Sequence, residues 1–138
     1  MENLRYIRSM EKWKKVPTIT LKNGIKYKPY GYEVSNLGRV RSYKNRYGYG
    51  KRKLLPTPTI INGRLDQAGY VQYMISDKKG VRRNIRGHVM VAFAFLGRRK
   101  KGMQICHYDD VKTNNRLDNI RYDTIAGNVR DRIRNNKK

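Results

Sequence analysis

Cysteine is nearly absent from this sequence. Cys106 is the one thiol among 138 residues, which excludes an internal disulfide. No apolar run approaches the ~20 residues that a membrane-spanning helix needs, so no membrane helix is expected. The opening stretch, MENLRYIRSMEKWKK, holds no continuous hydrophobic segment and does not read as a secretory signal. The expected site of action is therefore the cytoplasm. Histidine is scarce as well. Cys106, His88 and His107 are the only His and Cys residues, short of the four ligands of a structural zinc site. No internal repeat is visible.

Acidic residues are heavily outnumbered. Ten Asp and Glu face 33 Lys and Arg, a formal net charge of +23. That much like charge repels itself in a compact state. A polyanionic partner relieves the repulsion, and nucleic acid is the expected one. The apolar residues, 38% of the chain, suffice for one modest core but not for two independent ones.

The chain reads as strands first and a helix-closed unit last. Leu4, Ile7 and Met10 recur at helical spacing, which predicts a short basic helix over residues 3–15. Strands are predicted at 24–27, 31–35 and 39–43, the last two joined by the turn Asn36-Leu37-Gly38. Residues 44–53 form a basic loop with interleaved tyrosines. Further strands are predicted at 59–61, 70–75 and 81–85, the last two flanking the hairpin loop Asp77-Lys78-Lys79-Gly80. HVMVAFAFL, residues 88–96, predicts a buried helix stopped at Gly97. Then come a strand at 103–108, a polar loop at 109–116 and a strand at 117–122. A last helix follows, capped by Thr124, with Ile125, Val129 and Ile133 on one face.

Within that last unit stand Cys106-His107-Tyr108-Asp109-Asp110, then Asn114-Asn115-Arg116-Leu117-Asp118-Asn119-Ile120, then Asn128. This pattern resembles the HNH endonuclease family, in its phage and intron-encoded, homing-type branch. His107, Asn119 and Asn128 fall at the matching positions, 12 and 9 residues apart. Upstream, Trp13 and Tyr32-Glu33-Val34-Ser35-Asn36-Leu37-Gly38-Arg39-Val40-Arg41-Ser42 resemble the small NUMOD4-like DNA-binding motif that accompanies these nucleases. His88-Val89-Met90-Val91-Ala92-Phe93-Ala94-Phe95 resembles the helix that precedes their catalytic motif. The resemblance spans residues 13–131.

The resemblance implies an α+β fold: an N-terminal antiparallel β-rich region followed by a ββα-metal unit. The boundaries expected are an N-terminal segment 1–12, a NUMOD4-like region 13–55 and a nuclease region 56–138, joined in one compact unit. It also implies a metal-dependent DNA endonuclease that nicks one strand. His107 would be the general base, because imidazole titrates near neutral pH. Asn119 would pin the loop that orients it. Asn128 would offer an oxygen to a divalent cation, Mg²⁺ or Mn²⁺. Double-stranded DNA is the expected partner. A monomer is expected from one site per chain, with a dimer the alternative for coordinated double-strand cleavage.

The departure from the family pattern is Cys106, where many members carry Asp or His as a metal ligand. A thiolate is a soft ligand, better suited to Zn²⁺ than to Mg²⁺. Three readings stay open. Asn128, phosphate and water suffice; or Asp109 supplies the missing oxygen; or the protein is a non-catalytic DNA-binding relative with a degenerate site. Cys106 also reads as a small buried hydrophobe, and His88 as a residue that packs or caps its helix.

Candidate phosphate contacts are Arg39 and Arg41 on the ribbon, and Lys44, Arg46, Lys51, Arg52 and Lys53 in the loop. Arg82 and Arg83 in the hairpin and Arg98, Arg99, Lys100 and Lys101 after the helix complete the set. Such contacts position DNA without reading it. If about eight phosphates are neutralised, log K falls with log salt at a slope of roughly −7. The ribbon 32–43 is the expected base reader. The sequence runs only a few residues beyond the last helix, and modest sequence specificity is expected.

Overall fold

The computed structural model describes residues 10–45 and 53–136. Nine short strands come first: β1 (Trp13–Lys15), β2 (Ile19–Thr20), β3 (Lys26–Tyr27), β4 (Tyr32–Ser35), β5 (Val40–Ser42), β6 (Thr59–Ile61), β7 (Arg64–Leu65), β8 (Val71–Ser76) and β9 (Arg82–Arg86). Helix α1 (Gly87–Phe95) follows, then β10 (Gln104–His107), a 3-10 turn (Leu117–Asn119), β11 (Ile120–Asp123) and helix α2 (Ile125–Asn136). The strands pair as four antiparallel sheets, in the orders β1-β4-β5-β6, β2-β3, β7-β8-β9 and β10-β11. The α+β class and the closing strand–strand–helix unit are as the sequence implies.

One core serves all of these sheets, and α1 runs through it. An apolar helix without a polar face must be enclosed on most sides. Met90, Val91 and Ala92 are fully buried, and Phe93 nearly so. They pack with Val34 and Val40, which face each other across β4 and β5, with Ile75 and Ile85 from β8 and β9, and with Ile120 from β11. Strand alternation supplies these contacts. Tyr32 and Val34 point inward while Glu33 stays partly open. The Asp77–Gly80 loop closes as predicted, with Asp77 Oδ1 accepting the N–H groups of Lys79 and Val81 at 2.9 Å.

Several expectations are corrected. Trp13–Lys15 is not helical. It is an edge strand, in register with Ser35, Val34 and Glu33 of β4. The indole lies under the guanidinium of Arg41, 4.1 Å from the ring centroid, so sheet pairing and this stack outweigh the helical spacing. The rest of the predicted helix, residues 3–9, lies outside the described residues. Gly24 and Ile25 form a turn rather than a strand. Gly24 has a φ of +83°, and Leu21 exchanges backbone hydrogen bonds with both residues. Leu117–Asn119 is a 3-10 turn instead of strand, because the Asn119 side chain folds back into the preceding loop. The two-residue strands β2 and β7 are not foreseen in the sequence.

Helix α2 departs most. Thr124 caps it as expected, its Oγ1 accepting the N–H of Gly127 at 3.2 Å. Yet Ile125, Val129 and Ile133 are 64%, 42% and 51% exposed. The buried position is Gly127, where a Cβ would meet the Asp123 carboxylate at 2.3 Å. The helix docks through its smallest residue rather than through its apolar stripe.

Candidate active site and nucleic-acid interface

β10 ends at His107, opposite Ile120 of β11. The strand does not continue to Asp109. Asp110 takes a φ of +59°, and a tight loop follows. Three asparagines organise this loop. Asn119 Nδ2 donates to Asp109 Oδ1 and to the Asn114 carbonyl, both at 2.9 Å. Its Oδ1 accepts the Asp109 N–H at 3.2 Å. Asn114 Nδ2 donates to Asp109 Oδ2 at 2.8 Å. Asn115, the third, reaches His107: Oδ1 lies 3.0 Å from the imidazole Nε2.

Asp109 is therefore the hub of the loop. Partial burial pulls its carboxyl upward. The hydrogen bonds from Asn114, the Val111 N–H and Asn119 outweigh that and hold it below the usual carboxylate range. Both oxygens are engaged inside the loop, and the residue is off the strand face it was expected to share with His107. The condition on which Asp109 was expected to share the face of His107, a strand running on past His107, is not met.

His107 is buried, and its ring sits 4.9 Å from that of His88 and 6.0 Å from that of Tyr70. His88 is stacked on Tyr70 at 5.0 Å. Among the described residues, it has no hydrogen-bond partner at Nδ1. Burial first, and then the neighbouring His107 and Arg86, push its pKa down to about 3. It packs its helix, as read from the sequence, and stays neutral.

His88 and Tyr70 line a cleft of about 1000 Å³, together with Asp66, Arg86, Gln104 and Asn128. Asn128 projects from the end of the first turn of α2, and its Nδ2 lies 3.5 Å from Gln104 Oε1. Cys106 stands on the other face of β10 from His107, only 2% exposed, with Sγ 3.8 Å from the Gln104 carbonyl. Among the described residues, no three His, Cys, Asp or Glu side chains come together to hold a metal. The oxygen donors on the cleft include the Gln104 and Asn128 amides and the Asp66 carboxylate, which is paired with Arg86 at 2.8 Å. These suit a hard, largely hydrated cation that needs few protein ligands.

The basic residues divide into engaged and open. Arg39 pairs with Glu11, Nε to Oε2 at 2.8 Å, and the guanidinium holds the Glu11 carboxyl below its ordinary range. Arg41 pairs with Glu33 at 2.7 Å. Tyr43 donates to the same Glu33 at 2.8 Å. The ribbon face expected to be cationic thus carries its own counter-charges. Lys44 Nζ bonds Ser76 Oγ and the Asp77 carbonyl, and burial lowers its pKa. Arg46, Lys51 and Arg52 lie outside the described residues. Lys53, Arg82, Arg83, Arg98, Lys100 and Lys101 are exposed, and Arg99 lines the cleft.

Sequence reading missed the outer face of the three-stranded sheet. The register places Arg64, Gln72 and Arg86 in one row across it, and Met74 beside Asn84. Gln72 and Asn84 also line a second cleft of about 650 Å³, with Asn62, Arg64 and Arg82. The two clefts therefore adjoin along this face. Period-two alternation in 72–76 and 82–86 was the available signal. Asn115 stands within the motif, but its spacing implies no role for it.

Residues 86–130 match the family model for the HNH endonuclease, and residues 11–76 match that for the NUMOD4 motif. The HNH endonuclease match covers α1, the β10–β11 pair and the first half of α2. The solved structure of the HNH homing endonuclease I-HmuI, described as showing DNA binding and cleavage, shares this fold. It has a TM-score of 0.64 and 24% sequence identity, over 92% of this chain. The match spans 60% of the I-HmuI chain. No curated protein sequence matches significantly. Among the described residues, no helix is long and apolar enough to cross a membrane.

Proposed function

We propose that this chain is an HNH-type nuclease that hydrolyses phosphodiester bonds in double-stranded DNA with a divalent cation, Mg²⁺ or Mn²⁺, and nicks one strand. The observation that carries the reading is local. The loop between β10 and β11 is locked around Asp109 by Asn119, and this fixes the end of β10 where His107 stands. The cleft lined by Asn128 lies alongside. His107 accepts the proton of the attacking water. Asn119 acts at one remove, by holding the loop. Asn128 holds the cation, with Gln104 beside it. The cation, when bound, stabilises charge on the phosphate and on the leaving oxygen.

DNA enters along the outer face of the three-stranded sheet. Amide and guanidinium groups at Gln72, Asn84, Arg64 and Arg86 can contact base edges there. The exposed cations Lys53, Arg82, Arg83, Arg98, Lys100 and Lys101 contact phosphates, and the NUMOD4 and nuclease regions act as one body. One site per chain makes a monomer and a single nick the natural outcome, acting on DNA in the cytoplasm of a bacterial cell.

A second reading has its own observation. The one carboxylate among the cleft residues named here, Asp66, is tied to Arg86 at 2.8 Å, and the Cys106 thiol is buried. That favours a DNA-binding relative with a degenerate site. Supercoiled plasmid with Mg²⁺, Mn²⁺ or EDTA, beside His107→Ala, decides between the two. Metal-dependent open circles that disappear in His107→Ala support the nuclease. Plasmid that is bound but left intact with either metal supports the second reading.

A further inference from the structure

His107 and Asn115 form a buried pair. Each is about 6% exposed, and Asn115 Oδ1 lies 3.0 Å from His107 Nε2. The neighbouring asparagines do not share this task, because Asn114 and Asn119 direct their side-chain amides to Asp109 and the loop backbone.

We propose that Asn115 is a positioning residue that sets the tautomer and direction of the His107 imidazole, and that the β4–β5 turn holds Asn115 in place. The proposal rests on the role of His107 as base. An amide oxygen can only accept, so Nε2 must carry the hydrogen. In the neutral ring the lone pair then sits on Nδ1, the atom left to take a proton from water.

Two glycines make this placement possible. A Cβ at Gly38 would lie 2.8 Å from the Asn115 carbonyl oxygen, and one at Gly87 would lie 2.8 Å from Asn115 Nδ2. Gly38 belongs to the NUMOD4 match and Gly87 opens α1, so Asn115 is gripped between the two matched regions. The grip is reinforced two residues on, where the Leu117 N–H donates to the Asn36 carbonyl at 2.9 Å. Asn36 is anchored in turn. Its Oδ1 accepts the Lys12 N–H at 2.7 Å, and its Nδ2 donates to the Met10 carbonyl at 3.3 Å. The turn of the β4–β5 ribbon is thereby fastened to the residue that aims the base. Ribbon and base are one mechanical unit.

The test uses the full chain labelled with ¹⁵N-histidine. The sequence has only two histidines, so long-range ¹H–¹⁵N correlations resolve both rings, and His88→Gln assigns them. Wild-type His107 is expected as the Nε2–H tautomer. Asn115→Ala should give mixed tautomers and cut plasmid about 10–100-fold more slowly, with the half-saturating plasmid concentration unchanged. Asn115→Asp, which keeps the acceptor, should restore the Nε2–H form. Gly38→Ala should disturb the His107 signals in the same way as Asn115→Ala. A wild-type His107 in the Nδ1–H form overturns the proposal even if Asn115→Ala does not fold. So does an Asn115→Ala protein with unchanged tautomer and turnover. If wild-type His107 is Nε2–H but no plasmid is cut with either metal, the nuclease reading fails while the ring placement stands.

Discussion

Asp109 and Asn119 are bonded in both directions: Asn119 Nδ2 donates to the Asp109 carboxylate at 2.9 Å, and Asn119 Oδ1 accepts the Asp109 N–H at 3.2 Å. This exchange spans the loop and returns the chain to β11. Removing either side chain leaves the other's polar groups without their partner. Asp109→Ala and Asn119→Ala should each lower stability by about 1–2 kcal/mol. The double variant should lose clearly less than the sum of the two. Urea unfolding of the four proteins checks this, and additive losses would show that the residues act independently.

Cys106 and Asn128 should separate cleanly. The thiol is buried on the far side of β10 from His107, while Asn128 opens on the cleft. Cys106→Ala is expected to keep Mn²⁺ binding and metal-dependent nicking, at a modest cost in stability. Asn128→Ala should lose both. Mn²⁺ binding followed by electron paramagnetic resonance reads the first quantity without relying on activity. Loss of Mn²⁺ binding in Cys106→Ala would return the thiol to the metal site.

His88 should make the fold acid-sensitive. Its pKa is pushed down to about 3 by burial and by the charges of His107 and Arg86. In the unfolded chain it titrates near 6.5. Between those values the unfolded state binds a proton that the folded state refuses, so stability falls as pH drops below about 6.5. Above that value this contribution is flat. The slope from this one group is at most about 1.4 kcal/mol per pH unit. Urea midpoints between pH 7 and pH 4.5 should fall in the wild type and change less in His88→Phe. Equal slopes would remove His88 as the cause.

Lys44 and Arg82 look alike in sequence and should behave in opposite ways. Lys44 Nζ is held by Ser76 and the Asp77 carbonyl. Arg82 is exposed at the edge of the outer face. Lys44→Met should destabilise the protein by about 1–3 kcal/mol and leave the salt dependence of DNA binding unchanged. Arg82→Ala should leave stability intact and make the slope of log K against log salt shallower by about 1. Binding titrations at three salt concentrations distinguish the two.

Much of this molecule is legible before folding. Alternation placed β4, β5, β6, β8 and β9 within a residue or two, because each buries one face against the core. The uniformly apolar run at 88–96 announced a helix enclosed by sheets. The HNH spacing marked His107, Asn119 and Asn128. Errors arose where a local pattern met a competing partner. Leu4, Ile7 and Met10 suggested a helix, but Trp13–Lys15 pairs with β4. Ile125, Val129 and Ile133 suggested a buried stripe, but Gly127 is what fits against Asp123.

By itself, the sequence determined composition-level and periodic properties: the excess of positive charge, most of the strand and helix order from β4 onward, the identity of the HNH residues and the lack of cross-links. These depend on neighbours a few positions away or on sums over the chain. Only the tertiary structure decided which charges are open and which asparagine meets His107. It engaged Arg39, Arg41 and Lys44 internally, and it aligned Arg64, Gln72 and Arg86 across one face. It also wedged Asn115 between Gly38 and Gly87, residues far apart in the chain. Hydrogen bonds and steric contacts act over a few ångströms, and distant segments come that close only when the core closes.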